Sequence, residues 1–215
     1  MSILDRVIAA VTPAEKDADR VNARELARSL AQPGDWLSLV LDHHLAIEAT
    51  FDACRSARTG PDRTGAMREL HTLLTGHTLA KEAVLFPAMT THDQQGGAAM
   101  AFGGEQAIKL QVAQLEAADP ASQAWVDKLD QIEGAVKHQF FEEEGMWFAR
   151  MKQASLHDEQ IGLKARYNEE FTRYVGPDIA ARFDGRHVGA SGLGSMPYKE
   201  APLDPDEPEQ HAHQQ

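Results

Sequence analysis

The stretch Trp36-Leu-Ser-Leu-Val-Leu-Asp-His-His-Leu-Ala-Ile-Glu-Ala-Thr-Phe51 decides the fold. Leu37, Val40, Leu41, Ile47 and Phe51 recur at the three- and four-residue spacing of one helical face, and His44 falls inside that apolar stripe. Gln32-Pro33-Gly34 breaks the chain just before it, and Asp35 is placed to cap a helix that starts at Trp36. Taken alone, an imidazole inside an apolar stripe reads as a buried, hydrogen-bonded side chain; His44 gains meaning only beside others like it.

The same reading extends outward. Thr59-Gly60-Pro61 ends the first long helix, and Pro61 opens a second carrying Met67, Leu70, Leu73, Leu74, His77, Val84 and Leu85. Pro87 is expected to bend or stop it. Gln94 to Gly97 and Gly103-Gly104 predict a loop before a third helix through Ile108, Val112 and Leu115. Asp119-Pro120 reads as cap and first turn of a fourth, running through Trp125, Leu129, Ile132, Val136, Phe141 and Trp147. Four long helices with short links predict an all-α, up-and-down four-helix bundle over residues 33–175. A helical lead-in occupies residues 1–32, and a further helix near Asp158 to Tyr174 is expected to pack on the outside. Five Gly, five Pro and an acidic end make residues 176–215 too poor in apolar groups to offset ordering entropy, so an extended tail is expected.

Composition narrows function. Against 21 Lys and Arg stand 33 Asp and Glu, a formal charge of −12, which argues against nucleic acid and favours a cationic partner such as a metal ion. Cys54 is the only cysteine, so no internal disulfide framework exists; a lone helical Cys reads as a small buried hydrophobe. No apolar stretch approaches the roughly 18 residues of a membrane helix, and Asp5 and Arg6 interrupt any secretory signal, so a cytoplasmic protein without a membrane partner is expected.

Four polar residues lie within apolar helical stripes: His44, His77, and the pair His138 and Glu142, four residues apart and so on one helix face. His77 to Pro87 aligns weakly with His138 to Phe148, offering comparable inward groups from two helices. Three inward histidines on three helices favour metal ligation over a hydrogen-bonded polar cluster. His43 and His71 fall off the His44 and His77 faces and read as structural, while Glu143 and Glu144 read as solvated surface. Phe86, Phe141, Trp147 and Phe148 read as core that walls the site from water. His187, His211 and His213 lie in the tail.

Asp42-His43-His44 to Phe51, the tract from His77 to Val-Leu-Phe-Pro87, and His138 to Glu143 resemble, in order and spacing, the motifs of the hemerythrin-like, HHE cation-binding family, over about Trp36 to Met151. The resemblance implies a non-haem di-iron centre with bridging carboxylates and a further His on the third helix. His44, His77, His138 and Glu142 match ligand positions. Lys81 stands where a bridging Glu is expected, and in Glu105-Gln106-Ala-Ile108 Gln106 replaces a His, so one iron is expected rather than two. A protonated Lys cannot coordinate and repels a cation, but it can pair with Glu142 or Glu82 in place of a metal. Glu48, four residues after His44, suits an extra ligand or an outward salt bridge.

The function implied is handling or sensing a small ligand such as oxygen, nitric oxide or peroxide at iron. Two alternatives stand beside it: a metal-free scaffold closed by a Lys81–Glu142 pair, and a mononuclear-metal enzyme acting on a small organic substrate.

Overall fold

The computed structural model describes residues 15–183. Helix α1 spans Asp17–Leu30, α2 Trp36–Ser56 and α3 Gly60–Ala80; a π-helical turn over Lys81–Leu85 joins α3 to α4, Phe86–Thr91. Then come α5, Gln95–Glu116, and α6, Gln123–Glu142, which a second π turn over Glu143–Trp147 joins to α7, Phe148–Ala154. Helix α8 spans His157–Val175 and α9 Pro177–Ala180. No strand occurs among the described residues. Sequential helices α2, α3, α5 and α6 pack as neighbours into the up-and-down bundle that the periodicity predicts.

Local chemistry sets the boundaries. Asp35 accepts from Ser38 N–H at 2.7 Å to start α2, and Thr59 accepts from Asp62 N–H at 3.2 Å to start α3, with Pro61 in its first turn. The fourth long helix begins later than Asp119-Pro120 suggests: Ser122 caps it, accepting from Trp125 N–H at 3.2 Å, while Asp119 holds the preceding turn through Ala121 N–H.

Two expected breaks are absent. The glycines at 96, 97, 103 and 104 lie within α5, although each costs a helix about 1 kcal/mol. Close packing explains two of them: a Cβ on Gly104 would sit 2.5 Å from the Gln139 amide oxygen, and one on Gly97 3.1 Å from the Trp147 ring. Pro87 does not stop the chain either. The π turn before it carries the Phe86 N–H to the Lys81 carbonyl, and the wider turn admits the proline ring at the start of α4 without leaving the helical path.

Helix α8 is no outer ornament. It packs on α3 and α2 and buries Leu163, Tyr167, Phe171 and Val175. Helix α1 crosses α6, α7 and the π turn between them. Beyond Val175 the chain folds back through α9 to Phe183, whose ring meets His43 edge-on at 4.6 Å. The rest of the expected tail, and residues 1–14 of the lead-in, lie outside the described residues. Among the described residues no helix is long and apolar enough to cross a membrane.

Candidate metal centre

The two π turns place the chemistry. Lys81 opens one and Glu143 the other, at facing levels of α3 and α6, so the internal repeat exists in the backbone but one residue out of the expected register. A π turn fits an extra residue into a helical turn, which here turns two adjacent carboxylates, Glu143 and Glu144, toward one imidazole. Both are buried, contrary to their expected surface placement.

His44 Nδ1 lies 2.7 Å from Glu144 Oε1, so its N–H donates there and the lone pair resides on Nε2. The Phe140 ring stacks on the His44 imidazole at 3.7 Å and fixes its plane. His77 Nδ1 lies 2.8 Å from the Tyr167 hydroxyl, which lies 2.8 Å from His43 Nδ1 as well. A phenol that accepts from His77 and donates to His43 satisfies both Nδ1 atoms and directs the His77 lone pair to Nε2, while His43 Nε2 stays buried without a partner.

His44 Nε2, His77 Nε2 and Glu143 Oε2 are all buried without a hydrogen-bond partner. Their ligand atoms lie within 4.8 Å of one another. His44 Nε2 and Glu143 Oε2 approach to 3.2 Å without hydrogen-bond alignment. Two donors each about 2.1 Å from one ion are separated by about 3.0 to 3.4 Å, so this spacing suits a shared cation.

Charge agrees. Lys81 Nζ meets Glu105 Oε1 at 2.5 Å and Glu143 Oε1 at 2.6 Å, and the Phe86 and Phe140 rings flank it. Arg24 reaches from α1 to Glu48 at 2.7 Å and Glu144 at 2.9 Å. Two cations against four carboxylates leave two negative formal charges, which a divalent ion balances. Burial drives the His43 and His77 pKa values well below the ordinary imidazole range, and nearby positive charge adds to this, so both rings are neutral. Burial would also raise Glu143, but the Lys81 ammonium opposes it, and the carboxyl is held below its usual range. For Lys81, the penalty of burial is outweighed by Glu105 and Glu143, and its ammonium is retained.

The sequence-predicted residues divide. His44 and His77 come together at the centre. His138 is partly exposed on α6 and pairs with Glu15, and Glu142 is half-buried; neither joins the cluster. Gln139 and Glu143 take the inward positions, linked by Gln139 Nε2 donating to Glu143 Oε1 at 3.1 Å. The expected Lys81–Glu142 pair is replaced by Lys81 with Glu143 and Glu105, because the inward face of α6 lies one residue further on. Glu105, not Gln106, faces inward from α5, accepting from the Thr78 hydroxyl at 2.7 Å. Gln106 is exposed and donates to Glu82, which also holds Lys109. Glu48 takes the salt-bridge option. His71 pairs with Glu116 on the surface, whereas His43, expected off the inward face, is buried beside His77 and shares the Tyr167 hydroxyl. Tyr167 and Arg24 went unread because nothing in their local sequence links them to His77 or Glu144.

Two buried imidazoles and a carboxylate with unpartnered donor atoms fit iron(II), zinc or manganese. Comparison with known proteins agrees: the profile of the hemerythrin HHE cation binding domain matches residues 35–151. Neither curated proteins nor solved structures give a match. Over more than half its length, and with a buried His/Glu cluster at its centre, the chain belongs to the hemerythrin HHE cation-binding family.

Proposed function

We propose that the chain holds one iron ion through His44 Nε2, His77 Nε2 and Glu143 Oε2 and uses it to bind or sense a small ligand such as oxygen, nitric oxide or peroxide. The carrying observation is that these three buried atoms converge yet have no hydrogen-bond partner. Orphaned buried acceptors are rare because each costs about 1 to 3 kcal/mol, and a cation relieves all three at once. When bound, iron with two imidazoles and one carboxylate supplies open positions for a small ligand. The surrounding residues orient and shield: Glu144 and Tyr167 fix the two imidazoles, Phe140 keeps water off, and Lys81 holds Glu143 by its second oxygen.

Metal per chain decides the reading. Protein produced with iron is expected to carry one equivalent, lost in His77→Ala and Glu143→Ala and retained in His138→Ala and Glu142→Ala. Loss in His138→Ala, Glu142→Ala and His77→Ala with retention in Glu143→Ala would instead support the sequence-predicted set of His44, His77, His138 and Glu142.

A second reading has its own observation. Lys81 already joins Glu105 to Glu143 within the bundle, so the centre can serve as a closed polar core in a scaffold. Metal-free protein whose unfolding midpoint ignores chelator and added iron would establish it.

A further inference from the structure

Between α3 and α5 lies a cleft of about 80 Å³ lined by Leu74, Thr78, Ile108, Val112 and Ala113. Resting on the iron reading above, we propose that this cleft is the route by which a neutral diatomic ligand enters and leaves the centre, with the Thr78–Glu105 contact as its inner door.

Connection to the centre carries the assignment. Thr78 forms part of the cleft wall and its hydroxyl donates to Glu105 Oε2 at 2.7 Å; Glu105 is tied through Lys81 to Glu143. Three contacts, Thr78 to Glu105, Glu105 to Lys81 and Lys81 to Glu143, therefore link the cleft wall to the group at the centre. A second cleft of about 180 Å³, lined by Ala83, Pro87, Thr91, Glu159 and Arg166, is larger. No side chain lining it, buried Val84 and Ala88 included, hydrogen-bonds or ion-pairs with His44, His77, Lys81, Glu105 or Glu143. Size favours the second cleft; connectivity favours the first.

The chemistry of the first cleft selects the ligand. Its volume of about 80 Å³ and largely apolar lining suit a small neutral molecule. Leu74, Ile108 and Val112 make an apolar floor. The excess of carboxylates further in disfavours anions. Two contacts between α3 with its π turn and α5, His71 with Glu116 at 2.5 Å and the Glu82–Lys109 ion pair at 2.7 Å, hold the walls.

The test follows nitric oxide binding to, and release from, iron(II)-loaded protein by stopped-flow absorbance. Ala113→Trp roofs the cleft from an exposed position, Ala113→Leu does so partially, and Thr91→Trp covers the second cleft. A door on the path slows entry and exit together. Ala113→Trp is therefore expected to lower both rate constants roughly threefold or more with Kd unchanged, Ala113→Leu to lower them less, and Thr91→Trp to leave them alone. Iron content is measured for each protein. Unchanged rates in both Ala113 variants at full iron content overturn the route and leave the iron reading intact, as does slowing by Thr91→Trp alone. Parent protein without iron overturns both.

Discussion

At the scale of single residues, Lys81 has the largest effect because it is a buried cation that makes two buried carboxylates tolerable. Lys81→Met keeps volume but leaves Glu105 and Glu143 facing one another without a counter-charge. Breaking one side of a buried network costs about 3 to 5 kcal/mol, so the urea midpoint of the metal-free protein should fall sharply, with partial recovery on adding a divalent ion. An unchanged midpoint would mean that Lys81 is not what holds the carboxylates. Tyr167→Phe tests a subtler role. It removes the hydroxyl shared by His43 and His77, and metal affinity should drop roughly 10- to 100-fold while helicity stays; titration calorimetry measures it. His44 and His77 were legible in the sequence because they interrupt apolar stripes. Gln139 and Glu143 were not, because the eye goes to His138 and the H-x-x-x-E spacing. The stripe Leu129, Ile132, Val136 and Phe140 does contain the answer: carried through, its phase reaches Gln139 and Glu143, whereas taking Phe141 as core shifts it by one residue.

At the scale of elements, the long helices were readable from periodicity and their joints were not. Periodicity reports an average over many turns, whereas a π turn is one extra residue in one turn, with no compositional mark in Lys81–Leu85 or Glu143–Trp147. The glycines of α5 misled for the opposite reason: their local preference is for a loop, and tertiary packing overrides it. Gly104→Ala should therefore destabilise despite the better helix propensity of Ala. Its methyl collides with the amide of Gln139, which is buried and held by its bond to Glu143, so displacing it costs about 1 to 3 kcal/mol against a propensity gain of about 1. Gly103→Ala, where a Cβ meets nothing within 4 Å, should stabilise. Thermal midpoints of the two variants are expected to move in opposite directions; movement in the same direction would show that propensity, not packing, governs this helix.

At the scale of the molecule, the family's segment ends at residue 151, but the centre does not. Arg24 from α1 and Tyr167 from α8 bind groups of the centre, and α8 buries Leu163, Tyr167, Phe171 and Val175 against α2 and α3. A chain ending at Ser155 would bare that apolar face. It would also leave His43 and His77 Nδ1 without their hydroxyl, and His43 without the Phe171 ring stacked on it at 3.8 Å. Each burial of a large apolar side chain is worth about 1.5 to 3 kcal/mol, so losing these four exceeds much of the 5 to 15 kcal/mol by which a domain is ordinarily stable. Secondary structure has other support, since Asp35, Thr59 and Ser122 still cap α2, α3 and α6. The truncated chain should therefore keep its far-ultraviolet helical signal but lose near-ultraviolet dichroism, cooperative unfolding and the metal site together. If it instead unfolds cooperatively with near-native midpoint and binds one equivalent of metal, α8 is an appendage and the imidazoles are held by the four-helix core alone.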